Sequence, residues 1–343
     1  MVGLPTNKAM RMLESGTTRF GEAAEYQCAF GGIGFKLTVT GSGNFNARLT
    51  WKNLHHLQVL RGYENLARIA YISLPPSRCF VSFPTGEARL IYDGIELQPG
   101  DLVFHRRGER MHQRTAGNSR WGLMSLPPTQ LAHYRNSPNG RKIISPPVGR
   151  VLRPQRVAAT RLLRAHAKVC YLAEAKDKSF AQPEAATLEH ELLDALADCL
   201  RVEDMSDKWV TRRRRADIMS RFEDALTATD RQFTIPGLCA AIGVRERTFR
   251  VCCNEFLGMN PTRYVLLRRM NMARAALRRA DPKTVSVAEI ARSCQFSELG
   301  RFAVTYRTVF GELPSATLRS TPGQVELIGN MPRVRHWRVV DHR

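Results

Sequence analysis

The chain has 343 residues, with 52 Lys and Arg against 31 Asp and Glu, which gives a formal net charge of +21. Its hydrophobic content of 43% is ordinary for a globular protein and excludes a disordered chain, and its length suggests two or three domains. No stretch approaches about 18 uninterrupted apolar residues and the N-terminus has no apolar signal segment, so neither a membrane span nor secretion is expected. A charge of this size indicates a polyanionic partner, either nucleic acid or an anionic membrane surface.

The eight cysteines are scattered along the chain, with no CxxC pair and no Cys/His cluster at zinc spacing. This pattern predicts reduced cysteines that act as small apolar residues in a cytoplasmic protein. Cys252 and Cys253 are adjacent on one predicted helix, and a redox sensor there is the minor alternative.

The first third of the chain predicts a β-rich domain. Asp93-Gly94 lies between two short apolar runs and predicts a tight hairpin, because both residues of such a turn need a positive φ. Gln98-Pro99-Gly100-Asp101 predicts the next turn. Many short strands with frequent turns favour a small barrel or sandwich. The predicted strands lie at 35–40, 68–74, 89–92, 95–97, 102–105 and 121–126.

The composition changes after residue 134. Residues 135–155 are rich in Pro, Asn, Gly and Ser and predict a linker. Two amphipathic helices follow within 156–205, which we interpret as a linking and dimerisation segment. The second helix carries a leucine stripe that packs either on its own domain or on a partner subunit. The stripe consists of Leu188, Leu192, Leu196 and Leu200.

Residues 211–320, where 20 Lys and Arg stand against 10 Asp and Glu, contain an internal repeat with copies at 238–261 and 290–314. Each copy predicts a short helix, a tight turn and an amphipathic second helix, which is the pattern of a helix-turn-helix whose second helix enters the DNA major groove. Two copies in tandem are a much stronger signal than one. The residue pairs that stand 53 positions apart are Gly258 and Gly311, Pro261 and Pro314, Phe249 and Phe302, and Phe256 and Val309.

The segment between the copies, 261–280, has no internal Gly or Pro and predicts one helix. Twenty residues make a helix about 30 Å long, close to the roughly 34 Å between successive major grooves on one face of B-DNA. One helix can therefore hold two recognition helices, at about 245–257 and 297–310, one DNA turn apart.

The strings GVRERTFR, FLGMNPTRYVLLRRMNMARAAL, SVAEIA and FSELGRFAVTYRTVFGELPSATLR resemble the DNA-binding domain of AraC/XylS-type transcription regulators, over residues 231–319. The family usually has Gly before the Phe of the second turn, whereas this chain has Gln295, which costs on the order of 1 kcal/mol if the backbone there is left-handed. Gln98–Phe104 resembles the cupin-type strand entry of the family's sensor domains.

The resemblance implies an α+β protein. We expect a β-rich, cupin-like regulatory barrel over 1–134, the linker 135–155, the helical segment 156–205, an all-α DNA-binding domain over 211–320 and a basic tail over 321–343. The DNA-binding domain would hold two helix-turn-helix units joined by a long helix.

The candidate DNA-contacting residues are those that the buried faces of the two recognition helices do not use. Arginine can pair with guanine and valine can touch a thymine methyl, whereas the alternative for each arginine is a phosphate contact or a solvated charge. Arg301 is the one strong polar reading group in the second helix, so the first helix is expected to carry more of the discrimination. The residues predicted to read bases are Arg247, Thr248, Arg250, Val251, Gly300, Arg301 and Val304; those predicted to contact phosphate are Asn254, Arg263, Arg269, Arg292 and Arg307, and a further arginine run lies at 212–215.

No Ser/His/Asp array stands out in the sequence, so no catalytic residue is predicted. His105 and His112 fall one residue off the cupin metal-ligand spacing, and we expect both to be polar residues at the rim of the barrel rather than metal ligands.

Together these features predict a cytoplasmic, nucleoid-associated transcription regulator that is not an enzyme and needs no cofactor. Its expected partners are double-stranded DNA, a second copy in a homodimer, a small-molecule effector and, for an activator, RNA polymerase, with no membrane contact. Two alternatives stay open: a cupin-fold metalloenzyme with a DNA-targeting domain, and a non-specific architectural DNA binder.

Overall fold

The computed structural model has an α+β fold, with strands in the first part of the chain and helices in the last. The predicted tail and most of the predicted linker lie outside the residues that the structure describes. Those described residues are 15–130, 150–175, 182–200, 209–228 and 234–320.

Twelve strands within the described residues form two antiparallel sheets, which we call sheet A and sheet B. Their bounds are β1 (Ser15–Phe20), β2 (Gly34–Val39), β3 (Ala47–Asn53), β4 (Gln58–Glu64), β5 (Ala67–Ser73), β6 (Cys79–Pro84), β7 (Leu90–Tyr92), β8 (Ile95–Leu97), β9 (Leu102–Phe104), β10 (Arg110–Ala116), β11 (Ser119–Leu126) and β12 (Arg150–Leu152). Sheet A has the order β1-β3-β4-β11-β6-β9-β12, and sheet B has the order β2-β5-β10-β7-β8.

The two sheets enclose an apolar core rich in aromatic side chains. Because side chains alternate along a strand, Trp121 and Leu123 of β11 face this core, whereas Met124 faces the opposite side of sheet A. The predicted hairpin turn between β7 and β8 is confirmed, since Asp93 and Gly94 have φ values of 43° and 80°.

The helices are α1 (Ala23–Cys28), α2 (Arg156–Glu174), α3 (Gln182–Cys199), α4 (Trp209–Ala228), α5 (Ile235–Ile242), α6 (Glu246–Leu257), α7 (Pro261–Arg279), α8 (Val287–Ser293), α9 (Leu299–Phe310) and α10 (Pro314–Arg319). α2 and α3 form a hairpin that covers the outer face of sheet A. α4, α6 and α7 contact the outer face of sheet B, so the helical half of the chain sits on that side.

The leucine stripe of α3 is buried inside the chain. Leu192 and Leu196 are fully buried, and the stripe packs against α2 and against Val59, Phe83 and Met124 of sheet A. The prediction that this stripe joins two subunits is therefore wrong. The stripe packs on its own chain instead, because the outer face of sheet A is apolar and would otherwise be exposed to solvent.

Candidate DNA interface

The first helix-turn-helix unit is formed by α5 and α6. The hydroxyl of Thr234 caps α5 by accepting a hydrogen bond from the Gly237 N–H at 3.2 Å. Gly243 ends α5 with a φ of 65°, a left-handed conformation that glycine adopts without steric cost. The short helix buries Leu238 and Ile242 against α6 and α4, and this packing fixes the direction of the second helix.

The second unit, α8 and α9, has the same design with different residues. Ser286 and Glu289 form a reciprocal capping box at the start of α8. Gln295 has a φ of 66°, so it adopts the left-handed conformation that Gly243 adopts in the first unit. A side chain in this conformation carries a backbone cost, as expected for Gln295 if its site is left-handed.

The 53-residue repeat is a structural repeat. Gly258 and Gly311 end α6 and α9 with φ values of 69° and 77°. Pro261 and Pro314 are each the first residue of the helix that follows, a position where the missing N–H costs nothing.

α7 holds both units. Its 19 residues make a rod of about 28 Å. Tyr264 near its start belongs to the core of the first unit, whereas Met270 and Leu277 belong to the core of the second. A single helix thus fixes the two recognition helices, α6 and α9, relative to each other.

The surface of α6 carries exposed side chains at the predicted reading positions. Arg247 and Thr248 are exposed, and Arg250 pairs with Glu246 at 2.7 Å in the open. Val251 is 45% exposed, although valine is usually buried.

α9 presents a similar surface. Arg301 is exposed and lies 3.3 Å from Glu298, and Gly300 has open space where a side chain would lie. Val304 is 69% exposed and stands 53 residues after Val251. Each recognition helix therefore has a solvent-exposed valine at the same position of the repeat.

The predicted phosphate contacts fall into two groups. Asn254, Arg263, Arg292 and Arg307 are exposed. Arg269 is different, because its Nε donates to the Cys294 carbonyl at 2.9 Å, a second nitrogen donates to the Gln295 carbonyl, and its guanidinium lies 4.3 Å from the centre of the Phe296 ring. Arg269 thus ties α7 to the second turn, a structural task that the sequence analysis did not predict.

A family model described as a helix-turn-helix domain matches residues 238–320. The chain is 39% identical over 89 residues to the probable thc operon regulatory protein of Rhodococcus erythropolis, which is 26% of this chain and 27% of that protein. It is 43% identical over 68 residues to the XylDLEGF operon transcriptional activator of Pseudomonas putida, which is 20% and 21% of the two chains. A solved structure of a probable AraC family transcriptional regulator from Rhodopseudomonas palustris is 33% identical, with a TM-score of 0.28, over 30% of this chain and 95% of that one.

The C-terminal region is therefore a helix-turn-helix domain of the AraC/XylS type. The likeness to the two curated relatives spans only about a quarter of each relative's length. Among the described residues, no helix is both long and apolar enough to cross a membrane.

A buried polar network joins the β domain to the first helix-turn-helix unit. Glu223 of α4 accepts hydrogen bonds from Tyr264 at 2.6 Å and from Arg268, and its carboxylate lies 3.1 Å from Nε2 of His112 on β10. Burial alone would raise the pKa of Glu223, but the hydrogen bond with His112, the charges of His112 and Arg268 and the hydrogen bond from Tyr264 lower it to about 2.

Further contacts fasten the same faces together. Asn271 of α7 pairs through its side-chain amide with the backbone N–H and carbonyl of Val39, at 3.1 and 3.0 Å. Arg110 of β10 pairs with Asp224 of α4 at the exposed edge. α7, which holds both recognition helices, is thus attached directly to an edge strand of sheet B.

The two histidines that the sequence analysis assigned to the barrel rim are in fact buried, each with 1% exposure. His112 belongs to the network around Glu223. His105 lies between Ser82, whose Oγ is 2.7 Å from Nε2, and Glu109, whose Oε2 is 2.9 Å from Nδ1. The rim assignment fails because hydrogen bonds compensate the burial of each histidine, from Glu223 on a distant helix for His112 and from Ser82 and the nearby Glu109 for His105.

The Ser82–His105–Glu109 arrangement is the Ser/His/acid order that the sequence did not reveal. All three residues are at most 8% exposed, and Glu109 also accepts a hydrogen bond from Tyr92 at 2.9 Å. A nucleophile buried in this way does not meet a substrate, so the arrangement is a satisfied polar network within the β core. Within the described part of the chain, no group of three or more His, Cys, Asp and Glu side chains could hold a metal ion.

Proposed function

We propose that the protein is a sequence-specific DNA-binding transcription regulator that inserts α6 and α9 into successive major grooves of duplex DNA. The observation that carries this proposal is the pair of exposed, equivalent surfaces on α6 and α9, which the single helix α7 holds together. α7 is about 28 Å long, near the roughly 34 Å repeat of B-DNA. Exposed valines at equivalent positions of both surfaces are suited to thymine methyl groups.

The reading residues differ between the two helices. In α6, Arg247 and Arg250 would pair with guanine O6 and N7, with Thr248 beside them and Val251 against a methyl group. In α9, Arg301 would be the main polar reader, Val304 an apolar one, and Gly300 would allow close approach of the helix to the bases. We therefore expect α6 to carry more of the sequence discrimination.

The remaining exposed candidates would fix the protein on the DNA backbone. Arg263, Arg292, Arg307 and Asn254 are free to face phosphates, which position a protein without carrying sequence information. Arg269 would act indirectly, by holding the turn that aims α9.

The β domain would control this activity through the face of sheet B. The polar network around Glu223 and the contacts of Asn271 support a mechanical connection, because they reach the helix that sets the spacing of α6 and α9. We expect a small-molecule effector to act on the β domain, a homodimer to engage two sites and, for an activator, RNA polymerase to be a partner at the nucleoid. No enzymatic activity is proposed.

Selection of genomic fragments by the purified full chain tests the proposal. A sequence-specific regulator should enrich a shared motif and bind it about 10³-fold or more tightly than random DNA at one fixed salt concentration. Uniform capture of all fragments would instead assign the chain to the architectural DNA binders. Stoichiometric metal in the purified protein would favour the metalloenzyme alternative.

A further inference from the structure

The outer face of sheet A carries a groove beside α2, with a volume of about 500 Å³. We propose that this groove binds a small phosphorylated molecule with at least two negative charges. Four arginines from four elements line it, together with Tyr63, and no Asp or Glu is among the lining residues. The arginines are Arg48 on β3, Arg61 on β4, Arg120 on β11 and Arg164 on α2.

The strand register explains how the floor of the groove forms. Tyr63 of β4 stands directly opposite Arg48 of β3 on one side and Arg120 of β11 on the other. Directly opposed residues of antiparallel strands point to the same face, so the three side chains make a row across the sheet. The two arginines are two strand spacings apart, about 10 Å. The Arg120 guanidinium lies 5.8 Å from the centre of the Tyr63 ring.

The charge of the groove is only partly compensated. Arg61 pairs with Glu174 of α2 at 2.5 Å, and Glu174 also accepts a hydrogen bond from Thr50 at 2.9 Å. Within the described ranges, no ion pair reaches Arg48, Arg120 or Arg164, so three positive charges face one concavity. His166 also lines the groove, but burial lowers its pKa to about 4, so it is neutral near pH 7.

This arrangement selects for a multiply charged anion. Three like charges in a concave site repel one another, and a bound polyanion removes that repulsion. Guanidinium groups form paired hydrogen bonds with phosphate oxygens, which is why arginine is favoured where phosphate is recognised. Thr85 lines the same groove, and its buried Oγ1 has no hydrogen-bond partner. The Thr85 hydroxyl could form a hydrogen bond with a ligand if the surrounding side chains shifted slightly.

The groove suits a small molecule rather than duplex DNA. Its volume lies in the range of small-molecule sites, about 300–1,000 Å³. It also opens on sheet A, whereas α4, α6 and α7 of the helical half pack against sheet B on the other side of the β domain. The site is therefore separate from the DNA interface, and its ligand binding does not depend on the proposed regulatory function.

Calorimetric titration of the full chain with inorganic pyrophosphate tests the proposal. We expect saturable binding to one site, and we expect the double variant Arg120→Gln/Arg164→Gln to bind roughly 100-fold more weakly, since each charge-assisted contact accounts for about tenfold or more. Arg107→Gln is the matched control, because Arg107 is an exposed arginine of the same domain outside the groove lining. It should leave pyrophosphate binding unchanged.

Thermal melting separates loss of the site from loss of the fold. Without pyrophosphate the double variant should melt no lower than the wild type, because its changes remove mutual repulsion. If the double variant does not fold, Arg48→Gln alone should still weaken binding about tenfold. Absence of pyrophosphate binding by the wild type, or equal binding by the variants, would overturn the site, and equal binding of succinate would overturn its phosphate preference. A loss of DNA affinity in the double variant, with no pyrophosphate binding by the wild type, would assign the groove to nucleic acid.

Discussion

Val251 and Val304 are both exposed to solvent, at equivalent positions of the two recognition helices. Arginines beside them supply the polar part of the reading surface. We expect Arg247→Ala and Arg250→Ala each to cost about 1–3 kcal/mol on the preferred DNA site and to relax base preference there. Binding measurements on a panel of single-base variants check this, with Arg263→Ala as the control that should weaken all sites alike. Unchanged base preference in Arg247→Ala and Arg250→Ala would show that α6 is not the principal reader.

The left-handed backbone conformation destabilises Gln295, whereas Gly243 adopts the same conformation at the equivalent turn without steric strain. Gln295→Gly should therefore raise the free energy of unfolding by about 1 kcal/mol, and Gly243→Ala should lower it by a similar amount. Denaturant unfolding of the two variants measures both changes. A Cβ at Gly243 would meet its nearest neighbour, Arg221, at an ordinary 3.6 Å, so crowding does not obscure the comparison. Destabilisation by Gln295→Gly would mean that its side-chain contacts outweigh the strain.

Asp93 is a buried carboxyl in a left-handed turn position, where it accepts a hydrogen bond from the His112 N–H at 2.8 Å. Burial raises its pKa from 3.8 to about 8, so the folded state holds a proton that the unfolded chain releases. Stability should therefore fall between pH 3.8 and about 8, by roughly 1.4 kcal/mol per pH unit. Asp93→Asn keeps the acceptor and suits the turn, so it should remove this loss. Unfolding curves of both proteins at pH 4 and pH 8 test it, and parallel pH dependence would contradict it.

The leucine stripe of α3 could by its spacing alone pack either on its own chain or on a partner subunit. Leu192 is fully buried against α2 and sheet A, so Leu192→Ala should lower the free energy of unfolding by about 2–5 kcal/mol and leave the oligomeric state unchanged. The exposed Thr187→Ala on the same helix is the control and should change stability by less than about 0.5 kcal/mol. Sedimentation and thermal unfolding measure the two effects. If the Leu192→Ala protein kept its stability but sedimented with half the mass of the wild type, the stripe would be a contact between subunits.

A polar interface connects sheet B to the first helix-turn-helix unit and contributes to the stability of the folded chain. Glu223→Gln removes the charge that Arg268 and His112 share, and should lower the free energy of unfolding by about 1–3 kcal/mol at pH 7. Because the folded pKa of about 2 lies below the ordinary 4.5, this stabilisation is complete above pH 4.5 and disappears as the pH falls towards 2.

Hydrogen exchange tests whether this loss is local to the interface. Glu223→Gln should speed amide exchange in both α4 and β10 and leave β6 unchanged. The exposed Glu298→Gln is the control, because its partner Arg301 is already solvated, and it should change neither exchange nor stability by a measurable amount. Faster exchange in α4 alone would show that the network stabilises the helix and not the connection between the domains.

Local chemistry by itself determined the elements that carry DNA binding. Glycines at helix ends, prolines at helix starts and buried aromatic residues 53 positions apart depend on backbone conformation and spacing, and these are written in the sequence. The Asp93-Gly94 hairpin was predictable for the same reason. The strands β1, β3, β4, β6, β10 and β12 were not singled out, although Leu49, Val59 and Phe83 on them are buried in the cores, because short apolar runs do not by themselves distinguish a strand from a helix.

Which surfaces meet depends on how the elements pack in three dimensions. The leucine stripe of α3 is buried within the chain, and His105 and His112 lie in buried hydrogen-bonded networks instead of at the expected rim. Arg269 donates a hydrogen bond to a backbone carbonyl, which the sequence did not predict. The strand register also aligns Arg48, Tyr63 and Arg120 across three strands. Each of these outcomes depends on strand register or on a partner more than 20 residues away in the chain, and periodicity within one element carries no information about such partners.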